Sequence, residues 1–205
     1  MTQPTLFLDF DGVINFSASI AAYLREPAGL GYVRRTTISC NGNDWIVRWS
    51  AELVQSLNTL KRETGFEWQW LTTWLGASVD LVDEALGTHS DGYLRWDPDS
   101  DLSAANDPNA VRNARKYQAL VRKVRLRPAP FVWVDDVATS AFKPSDFTGE
   151  LKVPYLLVAP DEQYGIVRQE LEQIEEFMRA HSGPSGELTA GWPEMLDGSE
   201  HGEAE

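Results

Sequence analysis

The chain of 205 residues holds one cysteine, Cys40, which excludes an internal disulfide and a multi-cysteine metal site. No apolar run approaches the roughly 18 residues of a membrane span. The N-terminus lacks the charged-then-apolar layout of a signal peptide. Positive charge is also in short supply: 18 Lys and Arg face 31 Asp and Glu, a net charge of -13. So acidic a surface repels polyanions, which argues against non-specific nucleic-acid binding by the whole molecule. Together these absences predict a cytoplasmic protein that does not engage a membrane.

Apolar content is ordinary for a globular protein, at 42%. The length suits one α/β domain with a sizeable core rather than two. Eight tryptophans are many for this size, and most are expected to pack the core and its rim. The charge is unevenly spread. From Gly183 onward there are six acids (Glu187, Glu194, Asp197, Glu200, Glu203 and Glu205) and no Lys or Arg. The sequence therefore divides into a folded domain over 1–182 and an acidic, flexible tail over 183–205. Residues 112–127, in contrast, hold seven basic side chains. They form either a solvated helix face or a local anion-binding surface.

The stretch TLFLDF, starting at Thr5, is short, apolar and ended by Asp and Gly, and predicts a first buried strand. YVRRTTIS and DWIVRWS flank Asn41-Gly42, the signal of a tight type I′ hairpin over 32–50. SAELVQSLNTLKRETG opens on a Ser cap, repeats Leu53, Leu57 and Leu60 at helical spacing, and ends on Gly65. FEWQWLTTW predicts a second core strand, and ASVDLVDEALG a helix stopped by Gly87. A long loop follows, with any short strand near 93–96. NAVRNARKYQALVRKV reads as a helix, PFVWVDDV as a third strand, VPYLLVAP as a fourth, and GIVRQELEQIEEFMRA as a final amphipathic helix.

Strands alternating with helices predict an α/β fold with a parallel sheet and helices on both faces. Ligands of such sheets bind beyond the carboxyl ends of the strands. Asp9 and Asp11, Thr72 and Thr73, and Asp135 and Asp136 all fall where a strand runs out, so the architecture brings them to one rim. Carboxylates this close raise one another's pKa and resist desolvation. A hard divalent cation such as Mg²⁺ removes that conflict, and an all-oxygen pocket suits it. A hydroxyl at Thr72 and an ammonium at Lys116 would help hold a tetrahedral dianion and its transition state. Thr73 and Lys123 compete for those two places.

The series DFDGVIN, WLTTW, a lysine on a helix and VWVDD resembles, in order, the four motifs of the haloacid dehalogenase (HAD) superfamily of phosphohydrolases. More narrowly, WLTTW, VWVDD and PYLLVAPDEQYGI resemble the HAD domain associated with Swiss Army Knife RNA repair proteins, over roughly residues 5–179. The resemblance implies a HAD-like Rossmannoid three-layer sandwich with a mainly parallel sheet. It also implies a Mg²⁺-dependent phosphatase that works through an aspartyl-phosphate. By position, Asp9 is then the nucleophile. Asp11 protonates the leaving oxygen and afterwards deprotonates the attacking water. Asp9, Asp135 and the backbone carbonyl of Asp11 ligate the metal, and Asp136 is a ligand through water or an orienting group. Thr72 binds phosphoryl oxygens, Lys116 steadies the nucleophile and the phosphate charge, and Gly12 lets the backbone pass close over the phosphate.

Between Asp11 and Thr72 there is room for the hairpin and two helices, but not for a cap domain. That predicts a minimal or capless, open site with the hairpin as a flap. Such a site admits small phosphorylated molecules, nucleotides or the phosphorylated end of a nucleic acid. Arg34, Arg35, Arg48 and the basic series would line the approach. Trp45 or Trp49 either stacks a base or packs the hairpin onto the body. Two rival readings remain: a non-catalytic interaction protein on the same fold, and a phosphorylatable signalling receiver. A receiver places its acidic pair first, whereas here the pair Asp135-Asp136 follows Lys116. His89 and Cys40 are expected to be bystanders, and nothing in the sequence marks an oligomeric state.

Overall fold

The computed structural model describes residues 2–74, 76–96, 108–141 and 151–183; the acidic segment beyond Gly183 and the loop after Trp96 lie outside them. β1 (Thr5–Leu8) is buried along its whole length, as an apolar strand with no solvent face must be. Its neighbours are β4 (Glu67–Trp70) on one side and β5 (Phe131–Val134) on the other, and β6 (Tyr155–Val158) lies beyond β5. All three pairings are parallel, so the order is β4-β1-β5-β6. The expected parallel α/β architecture is observed.

Side chains alternate across the sheet with period two. Leu6 and Leu8 face α2 (Ala51–Thr64), α3 (Ala77–Leu86) and α6 (Arg168–His181), packing with Leu53, Leu57, Val79, Val82 and Ile174. Phe7 points the other way, with Phe131 and Trp133, towards Leu120 and Val124 of α4 (Pro108–Leu126). Helices therefore cover both faces. Each fully buried side chain of this size contributes roughly 1.5–3 kcal/mol.

The hairpin stands apart as a second sheet, with β2 (Val33–Cys40) antiparallel to β3 (Asn43–Ser50). Asn41 and Gly42 have φ of 52° and 75°, the left-handed pair that a type I′ turn requires. The capping signals of α2 also act as read: Ser50 Oγ accepts from Leu53 N at 3.0 Å, and Gly65 closes the helix at φ 69°. Two one-turn helices, α1 (Ile20–Tyr23) and α5 (Ala138–Ala141), are too short to leave a periodic pattern. The strand expected near 93–96 reduces to a single bridge between Tyr93 and Trp70. Trp49, Trp68, Trp70, Trp74 and Trp133 are buried, whereas Trp45 is 49% exposed. Among the described residues, no helix is long and apolar enough to cross a membrane.

Candidate active site

Two parallel strands in register end side by side, and each end carries an acid. Leu8 pairs with Val134, and Asp9 N donates to Val134 O at 3.0 Å, so Asp9 and Asp135 leave the sheet as neighbours. Lys116 reaches them from α4. Its Nζ lies 2.5 Å from Asp9 Oδ2 and 2.6 Å from Asp135 Oδ2, and its residue is 2% exposed. The other oxygens are also held: Asp9 Oδ1 accepts from Phe10 N at 2.8 Å, and Asp135 Oδ1 from Ala138 N at 2.6 Å. Both acids thus have fixed orientations before any ligand arrives.

The charges do not balance. Asp136 joins Asp9 and Asp135 in a group whose ligand atoms all lie within 4.8 Å of one another, against the one ammonium of Lys116. Burial pushes the Asp9 carboxyl up to about 7; Lys116 pulls it down and the Asp135 charge pushes it up again, each by less. Burial, then the charge of Asp135, raises Asp136 to about 6. Burial opposes the charge of Lys116, but Asp9 and Asp135 outweigh it and hold its pKa above the ordinary lysine value. Three carboxylates around one ammonium leave two negative charges uncompensated when all are ionised. A divalent cation supplies that balance, and three hard oxygen donors this close together fit Mg²⁺.

Asp11 behaves differently from Asp9. It is exposed, and its carboxylate stands outside the acidic group. Asp11 Oδ1 accepts from Asn15 Nδ2 at 2.7 Å and Oδ2 from the Trp74 indole Nε1 at 2.9 Å. Both donors are tied to the hairpin. Asn15 Oδ1 accepts from Arg48 N at 3.0 Å, and the Trp74 ring lies edge-on to Trp45, centroids 5.9 Å apart. Gly12 follows at φ 74°, and a Cβ there would lie 2.3 Å from Asp136 Oδ2. The glycine therefore makes room for Asp136, in addition to lining the pocket itself.

These groups share one pocket of about 450 Å³, lined also by Ile46, Arg48, Thr73, Arg112 and Asn113. The size lies within the ~300–1,000 Å³ range of small-molecule sites. Of the residues read from the sequence, Asp9, Asp11, Gly12, Arg48, Thr73, Lys116, Asp135 and Asp136 all line it. Thr72 does not: it is 2% exposed, and its Oγ1 accepts from Trp74 N at 3.3 Å. Thr73, exposed in the wall, lines the pocket in its place. Arg34 does not either. It pairs in register with buried Trp49 and borders a separate groove with Arg62 and His89. Lys123 is bound to Glu67 at 2.8 Å, beside Thr5 and Ala129 at the opposite end of the strands, which leaves Lys116 as the lysine of the site.

Asn15, Asn113 and Glu162 were not singled out in the sequence. Asn113 lies three residues before Lys116, and that helical spacing was available as a signal. Glu162 arrives because Ser17 N and Ala18 N donate to the carbonyls of Glu162 and Gln163, both at 3.0 Å, a tertiary contact with no sequence signature. No protein-family model matches this chain, and neither does any curated protein.

Proposed function

We propose that this protein is a Mg²⁺-dependent phosphatase of the HAD type, hydrolysing phosphate monoesters through an aspartyl-phosphate at Asp9. The observation that carries the reading is Lys116 clamped between Asp9 and Asp135 at the ends of adjacent parallel strands, with Asp136 completing an acidic group of excess charge. Asp9, Asp135 and Asp136 would hold the cation, which when bound offsets the charge of the phosphoryl group. An oxygen of Asp9 attacks phosphorus, the bond to the leaving oxygen breaks, and Asp11 supplies that oxygen with a proton. Asp11 then takes a proton from the water that attacks the aspartyl-phosphate, releasing phosphate and restoring Asp9. Lys116 keeps the Asp9 carboxylate aimed and shields its charge, and Thr73 offers a hydroxyl to the phosphoryl oxygens. Phosphorylated small molecules, nucleotides and nucleic-acid ends are the substrates that an open pocket beneath a hairpin admits.

Turnover of an aryl phosphate with and without Mg²⁺, in wild type and in Asp9→Asn, tests this. Metal-dependent release that Asp9→Asn abolishes is the expected result. A stable phosphoryl adduct without turnover would instead mark a receiver, and absence of any reaction a non-catalytic interaction protein.

A further inference from the structure

The pocket is lined by two chemically different sets of side chains. Asp9, Asp135 and Asp136 form the acidic one, and Glu162 belongs with them because its charge acts on Asp136. The same pocket is lined by Arg48 on β3, and by Arg112 and Asn113 on α4. Arg112 and Lys116 are four residues apart and Asn113 and Lys116 three apart, so all three share one face of the helix. Asn113 is 8% exposed, yet its amide has no hydrogen-bond partner among the described residues. Asn113 lines the pocket, so its amide is open to a ligand there. Arg48 and Arg112 likewise have no ion-pair partner among the described residues, in a chain of net charge -13.

The hairpin register extends the pattern. Arg35 lies directly across from Arg48, which puts both side chains on the face that carries Ile46 into the pocket. Like charges opposed on one face destabilise a ladder. An anion seated over them reverses the sign of that interaction.

We propose that Arg48, Arg112 and Asn113 form a second anion subsite, so that the substrate is a phosphomonoester carrying another phosphate on the same molecule. The proposal rests on the phosphatase reading of the acidic set. One phosphoryl group sits at Asp9, and the second phosphate is gripped by the two guanidinium forks and the amide. Ile46, 45% exposed in the wall, offers an apolar contact to the body of such a substrate. Arg35 lies further out, where only a longer chain of phosphates would reach.

The test compares kcat/KM, with Mg²⁺, for a nucleoside 3′,5′-bisphosphate, its 3′- and 5′-monophosphates, and oligonucleotides with a terminal phosphate at either end. Wild type is expected to favour the bisphosphate or the oligonucleotide over the monophosphates by about 10–100-fold. Arg48→Ala and Arg112→Ala should each shrink that preference about tenfold at an unchanged Tm, and Arg48→Lys should restore part of it. Arg35→Ala separates the sources: a loss confined to oligonucleotides marks a polynucleotide end, and no loss marks a compact bisphosphate. Equal kcat/KM for the bisphosphate, the oligonucleotides and the monophosphates in wild type overturns the subsite. Should no phosphate ester turn over, the phosphatase reading has failed, and calorimetry then decides the subsite alone. Bisphosphate binding that exceeds monophosphate binding and weakens in Arg112→Ala sustains it, and equal affinities overturn it.

Discussion

The two sides of the pocket are built to different standards. On the acidic side, Asp9, Asp135 and Lys116 are 7%, 1% and 2% exposed, and strand register inside a two-faced core sets their positions. On the hairpin side, Arg48 is half-buried and Arg35 exposed, on a ribbon held to the body through the Asn15–Arg48 bond, the Trp45–Trp74 contact and its own buried face. Under the proposed function, chemistry that needs fixed charges would sit where burial and strand register hold the backbone. Recognition, under the same proposal, would sit where side chains can adapt. Asp11, exposed yet bonded to donors tied to the hairpin, joins the two sides.

The largest effect should come from breaking the acidic side. Lys116→Met leaves two buried carboxylates without their cation, and metal-free protein should lose about 3–5 kcal/mol in denaturant unfolding, part of it regained with Mg²⁺. Arg48→Ala, on the other side, should change stability by no more than about 0.5 kcal/mol. Equal losses for the two would erase the contrast.

Proton linkage sharpens it. The folded protein raises Asp9 to about 7 and Asp136 to about 6 from a reference of 3.8, so between these values the native state holds more protons than the unfolded chain. Metal-free stability should therefore fall as pH rises from about 4 to about 7. Mg²⁺ stabilises the ionised acids, so its stabilising effect should be larger at pH 8 than at pH 5. Denaturation curves at both pH values, with and without Mg²⁺, check the sign.

A smaller loss is expected from Gly12→Ala. The left-handed backbone costs about 1–2 kcal/mol for a residue with a Cβ. The added methyl also displaces Asp136, so Mg²⁺ affinity by calorimetry should weaken about tenfold or more. Smallest in stability, at about 1 kcal/mol, is Trp74→Phe, which removes one donor from Asp11. Its signature is selective: turnover of alkyl phosphates, whose leaving oxygen needs a proton, should fall several-fold more than that of aryl phosphates. An equal fall for both would detach Trp74 from the acid–base step.

Much of this was legible in local chemistry. Asn41-Gly42 dictated the turn, and through it the whole hairpin register; Ser50 and Gly65 bounded α2; the Asp pairs at two apolar runs pointed to one rim. A two-residue turn at 41–42 places Arg34 opposite Trp49 and Arg35 opposite Arg48, so counting across the turn separates the arginine beside a buried tryptophan from the one beside the pocket. Thr72 and Thr73 could not be told apart in this way. Which of the two faces the pocket depends on β4 ending at Trp70 and on the turn that draws Thr72 under Trp74, both tertiary outcomes. Glu162 was hidden for the same reason, since only the packing of its loop on Ser17 and Ala18 brings it to the pocket.

The central claim is a covalent phosphoryl transfer at Asp9 within a cation-neutralised acidic group. Rapid mixing with an aryl phosphate, borohydride quench and peptide mass mapping tests it most directly, because borohydride reduces an acyl-phosphate at position 9 to homoserine. The account predicts that conversion at Asp9, dependent on Mg²⁺ and enhanced in Asp11→Asn, where the adduct is not hydrolysed. Phosphate release with Asp9 recovered unmodified, at every quench time and in that variant, would contradict it.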